Sequence, residues 1–258
     1  MDLNLNNQYF IVCGAGSGFG KSVALALAGE KANVLAISRT ENKLLKLKEK
    51  FPENIELLTG DLTNESILTE IADKVKGNKL SGVFFNSGGP PAGTIDEITM
   101  QQWDEAYLSV VKWKIALTGL LLPQLKRQQY GRLVYLESVS VKQPVENLVL
   151  SNAMRAAVTG FVKTLSQEVA KFNITANVLA PGYHKTAAIE RLIVKKREQT
   201  GMEENEIEKL FTKEIPAGKM GNPDDLASLA LWLLSPQSRY VTGQTITHDG
   251  GLVKGLFG

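Results

Sequence analysis

Residues 9–20 read Tyr9-Phe10-Ile11-Val12-Cys13-Gly14-Ala15-Gly16-Ser17-Gly18-Phe19-Gly20. The first five are β-branched, aromatic or apolar and predict a short buried strand over Tyr9 to Cys13. Beyond the glycines, Val23, Leu25, Ala26 and Leu27 fall at helical spacing from Lys21, and Gly29 is a fitting stop. A glycine run between an opening strand and a helix has a specific chemical use. Glycine lets the backbone turn sharply and come close to a pyrophosphate, and the helix N-terminus offers free amides and positive potential. The competing account is a tight turn that needs glycine for packing alone.

Working outward, apolar runs alternate with longer amphipathic ones. Strands are predicted over Asn33 to Ser38, Ile55 to Leu58, Gly82 to Asn86, Arg132 to Glu137, Thr175 to Ala180 and Gln244 to Thr247. Helices are predicted over Glu41 to Lys50, Glu65 to Lys76, Gln101 to Gln129, Leu148 to Phe172 and Pro223 to Leu234. The early strands are apolar almost throughout, so both of their faces are covered, as in a parallel sheet. The expected fold is therefore α/β: a doubly wound parallel sheet of about seven strands, flanked by helices on both faces. No linker splits the chain, and residues 1–258 read as one domain. The charged segment Thr186 to Glu214 follows a Pro-Gly turn and reads as a lid over a site or as a solvated helical hairpin.

Composition narrows the class. The chain has 258 residues, 29 Lys plus Arg against 27 Asp plus Glu, a single cysteine (Cys13) and two histidines (His184 and His248). Near-neutral charge argues against a nucleic-acid binder, and one cysteine rules out an internal disulfide or a Cys-rich zinc site; no metal is expected. The start lacks the layout of a secretion signal, and no apolar run approaches the roughly 20 residues of a membrane helix. A cytoplasmic protein without membrane or nucleic-acid partners is expected.

The end of the second strand bears on the cofactor. An acidic residue about 20 positions past the glycines binds the ribose 2′-hydroxyl of NAD. Ser38 stands there, followed by Arg39, whose guanidinium pairs with a 2′-phosphate where a carboxylate would repel it. NADP is thus expected over NAD; an arginine pointing to water is the alternative.

Together these residues resemble the short-chain dehydrogenase/reductase family along essentially the whole chain. Cys13 replaces the threonine of the family's Thr-Gly-x-x-x-Gly-x-Gly loop, with Gly14, Gly18 and Gly20 in register and Gly16, Ser17 and Phe19 between them. The resemblance implies adenine contacts at Asp61 and Leu62, a cofactor turn at Phe85-Asn86-Ser87-Gly88, and a nicotinamide loop at Pro181, Gly182 and Thr186. It also implies an oxidoreductase moving a hydride between NADP and a small carbonyl or alcohol substrate. For such members, 3-oxoacyl reductases and sugar or polyol dehydrogenases are common. Gly221-Asn222-Pro223-Asp224-Asp225 and the tail from Thr242 to Gly251 complete the likeness. Relatives form dimers or tetramers through the helices after the fourth and fifth strands and the tail, and the apolar residues 252–257 suit such an interface.

The catalytic motif departs from the family. In register from Trp103 onward, Ser151 occupies the place of the tyrosine in Tyr-x-x-x-Lys, Arg155 that of the lysine, and Val110 that of the supporting asparagine. Ser138 alone is retained, so Ser138, Ser151 and Arg155 are the candidate catalytic residues. An alkyl hydroxyl is a far weaker acid than a phenol, and arginine holds charge without shuttling a proton. Three routes are open: a water held by Ser138 and Ser151, a substrate carboxylate drawn onto Arg155, or another acid, for which Tyr183 and His184 are candidates. Glu137 is set aside because neighbours along a strand point to opposite faces. Cys13 reads as a packing residue. Lys195-Lys196-Arg197 is either a docking point for an acidic partner or a wet helix face. The alternative function is a catalytically degenerate NADP-binding sensor or assembly subunit.

Overall fold

The structure is a computed structural model; it describes residues 2–256, apart from the side chains at positions 187, 188, 191, 192, 195, 196 and 199. Among the described residues, seven strands form one sheet in the order β3-β2-β1-β4-β5-β6-β7, every pairing parallel. They are β1 (Tyr9–Cys13), β2 (Asn33–Ser38), β3 (Ile55–Thr59), β4 (Leu80–Phe85), β5 (Gly131–Leu136), β6 (Ile174–Pro181) and β7 (Thr245–His248). The helices are α1 (Gly18–Gly29), α2 (Glu41–Lys48), α3 (Glu65–Lys74), α4 (Met100–Ala106), α5 (Trp113–Gln128), α6 (Val149–Val169), α7 (Ala187–Thr200), α8 (Glu204–Thr212) and α9 (Pro223–Leu234).

Side-chain alternation along the strands divides the core in two. Ile11, Val83, Phe85, Leu133 and Tyr135 pack into one cluster with Trp113, Leu117 and Leu121 of α5 and Val158 and Val162 of α6. Phe10, Val12, Phe84, Val134 and Leu136 pack into the other, with Val23 and Leu27 of α1 and Leu226, Ala230 and Leu233 of α9. Both faces are covered, which explains why these strands read as unbroken apolar runs. The order of strands reverses between β1 and β4, and that crevice at their carboxyl ends is where open α/β sheets bind ligands.

Most boundaries fall within two residues of the sequence reading. α9 starts at Pro223 because the Asn222 side chain accepts the Asp224 amide at 3.1 Å and Pro223 needs no amide partner. α1 starts three residues earlier than the apolar spacing indicates, because Gly18, Phe19 and Gly20 form its first turn. The helix predicted over 101–129 is interrupted: between α4 and α5 the chain makes a π-helical segment, Tyr107–Lys112. Contrary to expectation, the 29 residues Met100–Gln128 contain an 18-residue stretch of mean hydropathy 1.2, long and apolar enough to cross a membrane by length and composition. Its apolarity belongs to the core, since Val110, Val111, Trp113, Leu117, Leu121 and Leu125 are buried beneath the sheet.

The segment after β6 forms a hairpin of α7 and α8. Ile193, Ile207 and Met220 make a small separate core there, against Tyr183 and Phe211.

Candidate active site

The glycine loop is shaped by contacts that leave no room for a side chain. A Cβ on Gly20 would lie 2.2 Å from the Gly14 carbonyl oxygen, one on Gly16 2.4 Å from Ser38 Oγ, and one on Gly14 2.7 Å from the Asn86 carbonyl oxygen. Gly14 also has φ of +65° and Gly18 of +53°, a region open to glycine at little cost. Asn86 Nδ2–H donates to Gly14 O at 3.3 Å, tying the end of β4 to the loop. Ser17 precedes the first turn of α1, so loop and helix amides face one crevice.

That crevice is a cavity of about 520 Å³. It is bordered by Gly14, Gly16, Ser17, Gly18 and Phe19, by Ser38 and Arg39 after β2, and by Asp61 and Leu62 after β3. Asn86, Gly88 and Thr186 also border it, with Arg155 at the far end. Thr40, Lys43, Gly89, Ser109, Trp113 and Leu136, not singled out from sequence, border it too, as does Glu137, which the sequence reading set aside. The side-chain-free cradle fits the diphosphate of a dinucleotide, and Ser87 Oγ, buried at the rim, has no hydrogen-bond partner among the described residues. Five expected residues lie outside the lining. Gly20 closes the loop from behind. Pro181 pairs with His248 in the sheet, and the Gly182 amide donates to His248 O at 3.1 Å. Ser138 and Ser151 are the other two.

At the β2 and β3 end of the cavity, Arg39 is exposed and lies 3.9 Å from Asp61 Oδ2, a surface pair worth about 0–1 kcal/mol. Asp61 accepts from the Thr63 amide at 2.9 Å and the Thr63 hydroxyl at 2.8 Å. The Thr63 amide, more than the arginine, holds its carboxyl below the ordinary range.

The far end differs from the sequence reading. Tyr135 faces the α5/α6 side of the sheet and Leu136 the other, so alternation carries Glu137 back to the α5/α6 side. The rule that was used to set Glu137 aside places it in the site. Its side chain is fully buried between two cations: Lys114 Nζ of α5 donates to Oε1, and Arg155 Nη1 of α6 donates to Oε2 at 3.2 Å and to the Glu137 carbonyl at 3.1 Å. Ser138 instead uses its hydroxyl to accept the Ser140 amide at 3.2 Å, capping the turn Val139–Val141. Ser151 is buried, and its Oγ accepts Arg155 Nε–H at 3.1 Å. Each of the two hydroxyls thus accepts one hydrogen bond from its own neighbourhood in the chain. Lys114 was missed, although a lysine amid the apolar run Val110 to Leu117 and a glutamate closing an apolar strand were visible signals. Burial pushes the Lys114 ammonium below its ordinary range, opposed by Glu137.

The two alternative acids are engaged elsewhere. His184 is buried and outside the cavity lining. Its Nδ1–H donates to Gly182 O at 3.0 Å, and its Nε2 accepts from His248 Nδ1 at 2.8 Å, while its ring meets Phe19 edge-on at 5.0 Å. Tyr183 packs on Phe211 of α8 at 5.4 Å between ring centres. Cys13 is fully buried with a free thiol, and burial pushes that thiol well above its ordinary range. The basic run at 195–197 falls largely outside the described side chains. Among the described residues, no three His, Cys, Asp or Glu side chains gather as a metal site.

The family model described as enoyl-(acyl carrier protein) reductase matches residues 14–253. The chain belongs to the short-chain dehydrogenase/reductase family. It is an oxidoreductase of that family. It is similar to the 3-oxoacyl-[acyl-carrier-protein] reductase of Thermotoga maritima, 30% identical over 97% of this chain and 100% of the relative. It is also similar to the NADPH-dependent reductase BacG of Bacillus subtilis, 27% identical over 98% and 100%. Among solved structures, YwfH, an NADPH-dependent reductase involved in bacilysin biosynthesis, superposes with a TM-score of 0.92. That structure is 25% identical and matches over 97% of this chain and 100% of its own. For this family member, the retained glycine cradle and the altered far end are two halves of one cavity.

Proposed function

We propose that this family member is an NADP(H)-dependent reductase or dehydrogenase of small carbonyl or alcohol compounds, in which Ser151 and Arg155 stand where relatives carry tyrosine and lysine and Arg155 is tied to a buried Glu137–Lys114 pair. The observation carrying the reading is the single cavity that runs from the glycine cradle to Arg155. NADPH-dependent relatives support the choice of cofactor.

In this reading Gly14, Gly16, Ser17, Gly18, Phe19 and Gly20 hold the diphosphate, Asn86 and Gly88 line its path, and Asp61 and Leu62 flank the adenine. Pro181 and Gly182 set the loop from which Thr186 closes the nicotinamide end. Ser38 leaves room for a 2′-phosphate. Arg39, held only by a weak surface pair, turns to that phosphate with Lys43 beside it. When bound, the nicotinamide supplies or accepts the hydride. The protein has to steady the carbonyl oxygen and deliver a proton to it. Arg155 contributes fixed positive charge and hydrogen bonds. Ser151 retains an O–H not used in its contact with Arg155 and passes a proton from water to the substrate oxygen, while Ser138 acts by holding the turn after β5.

The hairpin at 186–214 serves as a cover, because Thr186 lies at its entrance and approaches Gly18, 3.7 Å from where a Cβ there would stand. Exposed Leu108, Ile115 and Leu120 on the outer helices, together with Tyr240 and Leu256, suit self-association as a dimer or tetramer in the cytoplasm. The test is NADPH oxidation against a panel of 3-oxoacyl thioesters, sugars and oxo acids. Turnover of a panel member with preference for NADPH over NADH supports the reading; NADPH binding without turnover of any overturns it.

A further inference from the structure

A guanidinium carries five N–H groups. In Arg155, Nε–H goes to Ser151 and the Nη1 pair goes to the Glu137 carbonyl and carboxylate. The two on Nη2 have no hydrogen-bond partner among the described residues. Nη2 lies beside Gly89, 3.4 Å from where a Cβ there would stand, and Gly89 and Arg155 border the same cavity. The free edge of the fork is thus the edge at the cavity.

The charge count is equally uneven. Lys114 and Arg155 contribute two positive charges against one carboxylate, all three side chains being nine-tenths or more buried. Were Lys114 apolar, Glu137 would cancel Arg155; with Lys114 present, Glu137 is cancelled from behind and one positive charge persists. A buried charge without a counter-charge is costly, and a permanent one calls for a permanent partner. A neutral carbonyl compound does not provide one.

We propose that Arg155 Nη2 is a carboxylate subsite, positioned by Glu137 and kept positive by Lys114, which selects substrates bearing a carboxylate of their own. This rests on reading the cavity as the hydride-transfer site. Lys114 acts through Glu137 and is a positioning residue. Around it stand Glu137, Arg155 of α6, Cys13 at the end of β1 and the Trp113 ring at 5.8 Å; Tyr135 of β5 is linked to its backbone through Thr118. Burial raises both the Cys13 thiol and the Tyr135 phenol well above their ordinary ranges, so both stay neutral while Lys114 titrates.

The test is calorimetric titration of the full chain, with NADP⁺ present, by oxamate and by neutral oxamide across neutral to alkaline pH. The subsite predicts oxamate binding at least about tenfold tighter than oxamide, and an advantage that shrinks as rising pH takes the proton from Lys114. Lys114→Met leaves a one-to-one Glu137–Arg155 pair and should bind oxamate about tenfold more weakly, without that pH dependence. Equal affinity for the two ligands, or an unchanged preference in K114M, overturns the subsite. The wild-type pH series decides the matter even if the variant does not fold. Oxamate binding without turnover of any carbonyl would leave the subsite standing and remove the proposed reaction; turnover without oxamate preference would do the reverse.

Discussion

Arg155 Nε–H donates to Ser151 Oγ at 3.1 Å, one helical turn back along α6. The two residues that stand where the family has tyrosine and lysine are thus bonded to each other. The contact uses the serine oxygen as acceptor and leaves its own hydrogen available, so the pair combines a fixed cation with a weak proton donor.

Replacing Ser151 by alanine removes that donor and leaves Arg155 Nε–H in a buried place without its partner. Turnover should fall by about 10²-fold, the low end for loss of an acid–base group, with NADPH affinity unchanged. Steady-state kinetics on the best carbonyl of the panel, beside calorimetry with NADPH, checks this. A wild-type kcat would take Ser151 out of the proton route.

Arg39→Ala should weaken NADPH by about 10- to 100-fold, the worth of a charge-assisted hydrogen bond of about 1.5–3 kcal/mol. NADH should scarcely change. Equal losses for both dinucleotides would mean that Arg39 does not read the 2′-phosphate.

Gly20→Ala places a methyl group 2.2 Å from a backbone oxygen, and no side-chain rotation relieves that contact. Dinucleotide binding should be lost, or weakened by more than about tenfold, while Gly29→Ala, where a Cβ meets nothing within 4 Å, should bind normally. Matching affinities in the two variants would show that the loop tolerates being opened.

Glu137→Ala leaves Lys114 and Arg155 buried as neighbouring cations with no carboxylate. Breaking a buried pair from one side costs about 3–5 kcal/mol, to be read as a lowered urea midpoint. Adding Lys114→Met to Glu137→Ala should recover part of the loss; no recovery would argue against charge as its cause.

His184 titrates below its ordinary value because burial disfavours the charged ring. The unfolded chain then takes up its proton at higher pH than the native one, so stability falls as pH drops from about 6.5 towards the native value. A series of melting temperatures from pH 7.5 to 5 should show a steeper loss for the wild type than for His184→Gln. Parallel curves would mean that burial of the His184 ring carries no such linkage.

Much of this was legible in the residues. Tyr9 to Cys13 and Asn33 to Ser38 form strands with the bounds their apolar runs indicate, because a strand covered on both faces needs no periodicity to be seen. The glycine spacing marked the loop at the cavity, and Arg39, singled out after β2, borders the same cavity. Val110 to Leu117 read simply as helix; neither the π-helical segment beside Val110 nor the destination of Lys114 is written in a local pattern. The lesson of Glu137 is narrower. The alternation rule was right, but sequence alone did not say which face carries α6, and so the rule was applied to the wrong neighbour.

The order of strands and helices and the glycine turn follow from short-range backbone preference and apolar spacing, and so were readable in the residues alone, as was the positive residue after β2. Which buried charges meet was settled by the packing of distant elements. Lys114, Glu137 and Arg155 come from three elements, and the force joining them is strong only once folding has removed the water between them.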